Sequence, residues 1–227
     1  MDLRLDLFLT QRNSDMEKIS VVFPEETKKY IELQSNDRLE EYSYLPEIEG
    51  IEKYLKDMNP RVALDVGSGI GRASVFFFKY FDWKDTMFIL ADGDSGEEQL
   101  SGIRTGKADF YNSLEATESY CQVNGMQNFK TFNLEKLRWD KLSHEPNLVY
   151  SFKAVGFHWA FNPFLEESYS ALGEKCRLIF DLRAGNPGSL NWTREQIGKI
   201  DPNKYKVIAL SLEADRKKGN FMVLEKK

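Results

Sequence analysis

The sequence has little cysteine, little histidine, no long apolar run and no excess of positive charge. Its two cysteines, Cys121 and Cys176, are too few for a disulfide framework or a four-cysteine zinc site, and neither belongs to a CxxC pair. They read as reduced interior residues, and no metal is expected. No stretch approaches the roughly 18 uncharged apolar residues of a membrane-spanning helix. The densest run, Val75 to Phe81, is broken by Lys79. The opening MDLRLDLFLT carries Asp2 and Asp6 and lacks the basic-then-apolar order of a secretion signal, so a cytoplasmic protein is expected. Lys and Arg number 31 against 36 Asp and Glu, a net charge of −5. Such a chain has no global field to gather phosphate backbones, so nucleic acid is not an expected partner, nor is membrane insertion. Internal repeats, low-complexity tracts and a Gly/Ser/Pro-rich linker are also missing, which argues against two separate domains.

What is present is a core. At 227 residues, 41% of them hydrophobic and with 16 Phe, 10 Tyr and 4 Trp, the chain is too rich in large apolar side chains to be disordered. Residues 1–45 are polar and weakly periodic and read as an N-terminal extension, a possible cover for an acceptor site. Residues 46–227 read as one domain. Leu45, Ile48, Ile51, Tyr54, Leu55 and Met58 recur at helical spacing before Asn59-Pro60, predicting a helix over 45–58. Strands follow at 61–66, 86–91, 129–132, 147–152 and 176–182, with helices at 73–81, 110–123 and 163–172 between them. The strands 205–213 and 220–225, joined by the charged turn 214–219, read as a hairpin. Strands alternating with helices imply right-handed crossovers and a mainly parallel sheet covered on both faces, with the antiparallel hairpin at its C-terminal end. Ligands of such sheets sit beyond the carboxyl ends of the strands, where the strand order switches.

One stretch stands out there. Asp65-Val66-Gly67-Ser68-Gly69-Ile70-Gly71-Arg72 leaves an aliphatic strand abruptly. Its alternate glycines permit a sharp turn and bring bare backbone close to a ligand. A dinucleotide loop needs a third glycine where Arg72 stands, and no Gly-Lys-Ser/Thr follows as in a phosphate-binding loop. Asp92 ends the next apolar strand, 25 residues after Gly67, where a carboxylate can accept bonds from ribose hydroxyls. Asp94 is its rival across Gly93. Ser68 is either part of the loop's ligand surface or a cap for the following helix.

These residues resemble the first motif, hh(D/E)hGxGxG, of the class I S-adenosylmethionine-dependent methyltransferases. The resemblance covers residues 45–227. It implies a Rossmann-like sheet of seven strands, mainly parallel, with a C-terminal antiparallel hairpin and helices on both faces. It also implies S-adenosylmethionine as cofactor, with Gly67, Ser68, Gly69 and Gly71 against its amino acid part and Asp65 supporting the loop and the methionyl end. Asp92 would serve the ribose. Asn133 and Leu134, after the third strand, would serve the adenine; Asn133 stands where Asp is commoner, and Asn is also a good turn former. Residues 153–159, Lys-Ala-Val-Gly-Phe-His-Trp, match the segment bearing substrate-side groups.

His158 lies in that segment and suits a general base for an acceptor hydroxyl, since an unperturbed imidazole titrates near ~6.5. The competing reading is a histidine packed among Phe157, Trp159 and Phe161. His144, in a polar loop, reads as a surface residue. Lys153 and Arg183 are candidates for binding the substrate, although each also reads as a turn or structural ion-pair residue, and Asp181 shares the strand end with Arg183. Arg104 sits in the polar insertion 95–109, either a substrate loop or a long surface loop. Trp83, Trp139 and Trp192 read as packing residues. The expected activity is methyl transfer to a small molecule, with a loose likeness to enzymes of sugar methylation favouring a sugar-like hydroxyl. An NAD-dependent oxidoreductase and a non-catalytic S-adenosylmethionine-binding module are the alternatives.

Overall fold

The computed structural model describes residues 3–7, 19–27, 48, 50–94, 112–156, 159–185, 187–212 and 219–227, the first of these segments by its backbone alone. Short β-branched and aliphatic runs form seven strands of one sheet: β3 (Val62–Val66), β4 (Met87–Asp92), β5 (Phe129–Asn133), β6 (Leu148–Ser151), β7 (Arg177–Asp181), β8 (Tyr205–Ser211) and β9 (Phe221–Lys226). Their order is β5-β4-β3-β6-β7-β9-β8. Strands β5, β4, β3, β6 and β7 are parallel, whereas β9 is antiparallel to both β7 and β8. The chain builds outward from β3 in one direction through β4 and β5, then returns to the other side of β3 with β6. The switch point therefore lies between the carboxyl ends of β3 and β6.

Strands covered on both faces bury every residue, and β3 does so. Its alternate residues Val62, Leu64 and Val66 join an aliphatic layer with Ile89, Val149, Leu178 and Phe180. Ala63 and Asp65 face the opposite layer, which is richer in aromatics: Phe76, Phe77, Phe88, Tyr120 and Tyr150. Helix α1 (Arg72–Tyr80) supplies part of that layer. Phe77 meets Tyr150 edge to face with centroids 5.0 Å apart, a favoured geometry for ring quadrupoles. Helix α2 (Leu114–Val123) lies in the same layer, while α3 (Phe161–Ser168) and the aliphatic layer share Phe161 and Leu165.

The N-terminal extension holds more structure than its polar composition predicts. Strands β1 (Leu3–Leu7) and β2 (Ile19–Phe23) pair antiparallel as a separate two-stranded sheet. Phe23 is fully buried and stacks on Tyr120 of α2, centroids 4.7 Å apart. Asn124, at the C-terminal end of α2, donates from Nδ2 to the Val22 carbonyl and accepts the Val22 amide at Oδ1, closing that part of the β2 edge. Only Val21 and Phe23 of this strand are buried, which is why no apolar period is visible in the sequence.

The helix expected over 45–58 is a correction. Among its described residues only Glu52–Tyr54 is helical, as a single 3-10 turn flanked by other turns. The spacing nevertheless located the burial: Ile48, Ile51 and Leu55 are all inaccessible, since successive turns present the same residues to a core as a helix would. Helix α4 (Pro187–Gly198) is the other departure, absent from the sequence reading. Its buried residues are Thr193 and Gln196, so it lacks an apolar stripe, and its start at a proline is the clue available. The C-terminal hairpin strands form as expected, and residues 213–218 of their turn lie outside the described residues.

Candidate functional site

The carboxyl ends of β3, β4 and β5 bring together most of the residues singled out from the sequence. Gly67, Gly69 and Gly71 have φ of +74°, +54° and +84°, the left-handed region in which a side chain is strained. Space imposes the same requirement: a Cβ on Gly67 would stand 2.2 Å from the Ala154 Cβ, and one on Gly71 would stand 2.7 Å from Leu90 Cδ2. The loop is tied to β4 through the Ala91 carbonyl, which accepts from the amides of Gly67 at 2.8 Å and Ser68 at 3.2 Å. Gly71 caps α1 and no side chain does so. The reading of Ser68 as a helix cap is thus corrected: its hydroxyl points to the neighbouring Gly69 carbonyl at 3.4 Å.

Asp92 and Asp94 separate cleanly. The Asp92 carboxylate accepts the Gly69 amide at 2.5 Å and the Gly93 amide at 2.6 Å, one on each oxygen. Asp94 instead accepts the Leu114 amide at the start of α2 at 3.4 Å. Burial pushes Asp92 up to about 6, against the pull of the two amides, so at neutral pH it is an ionised group with lone pairs remaining on both oxygens. Asn133 is its register partner on β5. Its Oδ1 accepts the Glu135 amide at 3.0 Å, making Asn133 the cap of a 3-10 turn. The turn-forming reading therefore describes that oxygen, and Nδ2 is the group left to meet a ligand. Leu134 packs against the aliphatic layer.

Asp65 lies one layer deeper. It is 2% exposed and accepts the Ser74 hydroxyl at 2.6 Å, while Ser74 and the Tyr150 hydroxyl are 2.7 Å apart. Burial raises the Asp65 carboxyl to about 8, opposed by the Ser74 bond and reinforced by Asp92. Ser74, a small polar residue on the α1 face that otherwise buries Val75, Phe76 and Phe77, was the available sequence signal for this relay, and Tyr150 within an apolar strand was its counterpart. Sequence reasoning also missed Asn112 and Thr117. Asn112 Nδ2 and Thr117 Oγ1 both donate to the Gly69 carbonyl, at 2.8 and 3.0 Å. Both the amide and the carbonyl of Gly69 are thereby held by side chains from outside the loop.

On the β6 and β7 side the segment after Ser151 closes on itself. Ser151 Oγ donates to the Val66 carbonyl at 2.7 Å and accepts the Val155 amide at 3.0 Å. Lys153, exposed and with φ of +59°, has its amide held at 2.7 Å by Asp181 Oδ1. Asp181 is 5% exposed and supports the loop from beneath. Arg183 is exposed at the end of β7, and its carbonyl accepts Thr193 Oγ1 of α4 at 2.6 Å. Trp159 closes the segment at the rim. His158 and Arg104 lie outside the described residues. Trp83 and Trp139 pack as expected, the first donating to the Met58 carbonyl and the second meeting Phe164 edge to face. His144 is on the surface beside Ser143.

No protein-family model matches the sequence, and no curated protein matches it. Solved structures do. A methyltransferase from Pyrococcus furiosus superposes with a TM-score of 0.50 at 16% identity, over 78% of this chain and 82% of that one. A candidate methyltransferase from Streptococcus mutans, solved with S-adenosylhomocysteine, gives 0.53 at 13% identity over 80% and 98%. A candidate rRNA methylase from Clostridium thermocellum gives 0.53 at 11% over 77% and 92%. The chain therefore has the Rossmann-like fold of the class I methyltransferases, with the glycine loop at its switch point and Asp92 bonded to that loop. Among the described residues no helix is long and apolar enough to cross a membrane.

Proposed function

We propose that the protein is an S-adenosylmethionine-dependent methyltransferase acting on a hydroxyl of a small, sugar-like molecule. The observation that carries the donor half of this reading is the left-handed glycine loop bonded to the Asp92 carboxylate beside the switch point. The donor set suits the cofactor. Asp92 retains lone pairs for two ribose hydroxyls, Asn133 Nδ2 suits an adenine edge nitrogen, and the loop backbone from Gly67 to Gly71 suits the amino acid end. When bound, S-adenosylmethionine supplies an electrophilic methyl group whose transfer to an acceptor oxygen releases S-adenosylhomocysteine. The protein's share is alignment of the acceptor oxygen with that methyl group and exclusion of water. His158 takes the proton of the acceptor hydroxyl in this reading, and Lys153, Arg183 and Arg104 hold the acceptor's polar groups. The net charge of −5 supports a small acceptor over a nucleic acid.

Calorimetric titration with S-adenosylmethionine, S-adenosylhomocysteine and NAD tests the reading. Micromolar binding of the first two is expected. Asp92→Ala should weaken it about 10- to 100-fold, the worth of hydrogen bonds to a charged acceptor. Because the Asp92 carboxylate is ionised only above about 6, wild-type affinity should fall as the pH drops through that value. Binding of NAD alone would overturn the reading.

A further inference from the structure

Among the described residues four large apolar side chains are exposed: Val123, Trp159, Val207 and Leu210. Val207 and Leu210 belong to the edge strand β8, and Val123 ends α2. Trp159 alone stands at the carboxyl end of the sheet, beside the glycine loop: its Cζ3 lies 3.9 Å from where a Gly67 Cβ would sit. The tryptophan is 36% exposed, whereas Trp83 is 3% exposed. An indole offers a large, flat apolar surface, and aromatic side chains that line a ligand mouth can stack on flat ring faces.

Its backbone is well held. The Gly156 amide donates to the Trp159 carbonyl at 2.7 Å, and the Trp159 amide donates to the Ala154 carbonyl at 3.3 Å. Gly156 takes φ of +90°, and a Cβ there would meet the Phe161 ring at 2.6 Å, so the turn rests directly on α3. Below it, Ser151 and Asp181 hold the Val155 and Lys153 amides. Ala154, against Gly67, sets the distance between this turn and the donor loop. The backbone that carries the ring is thus held before anything binds, which favours stacking over an adaptable contact.

We propose that Trp159 is the platform on which the acceptor docks face-on, and hence that the acceptor is a hydroxylated ring, with one face of C–H groups or π-electrons, in preference to an open-chain alcohol. This rests on the methyl-transfer reading above and narrows its substrate class. A pyranose and a phenol share the ring face that the indole recognises, and the test separates them.

The test is saturation-transfer NMR of the protein loaded with S-adenosylhomocysteine, using methyl glucopyranoside, methyl galactopyranoside and methyl rhamnopyranoside, catechol, and the open-chain polyols sorbitol and erythritol. Saturation should reach the ring protons of one face, with an upfield ring-current shift, for at least one ring compound and for neither polyol. Trp159→Leu should reduce that signal at least fivefold and Trp159→Phe less than Leu, with affinity for S-adenosylhomocysteine within threefold of wild type. Signal confined to the glycosides assigns a pyranose, and signal confined to catechol assigns an aromatic ring; both uphold the platform. Equal signals from polyols and rings, no ring signal, or a signal unchanged in Trp159→Leu would overturn it, and the wild-type shifts alone decide the matter if the leucine variant does not fold. Loss of S-adenosylhomocysteine binding in Trp159→Leu would overturn it differently, by placing the ring in the donor site. If the wild type does not bind S-adenosylhomocysteine, it is the methyl-transfer reading that fails.

Discussion

The carboxyl ends of β3–β5 and of β6–β7 lie side by side as two rims, and they are built differently. On the first rim nearly every polar side chain is turned to the backbone: Asp92 to the amides of Gly69 and Gly93, Asn112 and Thr117 to the Gly69 carbonyl, Asn133 to Glu135. What it presents is main chain held in one conformation. On the second rim the buried Ser151 and Asp181 hold the loop from below, and long side chains, Lys153, Trp159 and Arg183, stand exposed above it. A rim of fixed backbone suits a constant ligand, because its shape cannot be altered one side chain at a time. A rim of exposed side chains on a rigid base suits a ligand that differs from one protein to another. The donor and acceptor halves of the proposed reaction fit this division.

The contact between Gly67 and Ala154 joins the two rims, so breaking it should have the largest effect. Gly67→Ala combines φ of +74° with a Cβ 2.2 Å from Ala154. Strain and overpacking together should cost about 3 kcal/mol or more, measured by urea unfolding, and S-adenosylhomocysteine binding should be lost with it. A second substitution separates the buried support from the presented surface. Asp65 is raised to about 8 from an ordinary carboxylate near 3.8, so the folded state holds a proton that the unfolded state has released. Stability should therefore fall as pH rises between about 4 and 8, at a slope of up to about 1.4 kcal/mol per pH unit, and level off above. Asp65→Asn should flatten that decline above pH 6; an unchanged profile would show that the Asp65–Ser74–Tyr150 relay is not its source. The smallest effect is expected far from both rims. Asn124→Ala removes two hydrogen bonds to Val22, worth about 1–2 kcal/mol. It should speed tryptic cleavage of the N-terminal segment while leaving S-adenosylhomocysteine affinity within twofold, and a larger loss of affinity would tie the hairpin to the glycine loop.

The sheet was readable because its strands are short apolar runs bounded by turn residues, and a strand buried on both faces leaves that mark whatever its neighbours are. Helices α1, α2 and α3 were readable for the same reason, with boundaries displaced by at most four residues. Helix α4 was not, since Thr193 and Gln196 are its buried residues and polar residues carry no apolar period. Residues 45–58 read as a helix because burial at successive turns, as at Ile51 and Leu55, mimics helical spacing. In the site, Asp92 was preferred to Asp94 as the strand-end residue, and the structure gives the loop contact to Asp92 and an α2 contact to Asp94. Asn112, Thr117, Ser74 and Tyr150 were missed because each works on a residue 9 to 76 positions away, and no local pattern records that.

Local chemistry, then, was settled by the sequence itself: which segments extend, where only glycine can turn the chain, and which carboxylate ends which strand. These depend on backbone sterics and on burial period, both properties of a few neighbouring residues. Only the tertiary structure decided the rest. Sheet order put β6 beside β3, and with it Ala154 and Trp159 against Gly67; burial raised Asp65 and Asp92 above the ordinary carboxylate range. Proximity between distant segments and the loss of water around a charge exist only once the chain has closed on itself.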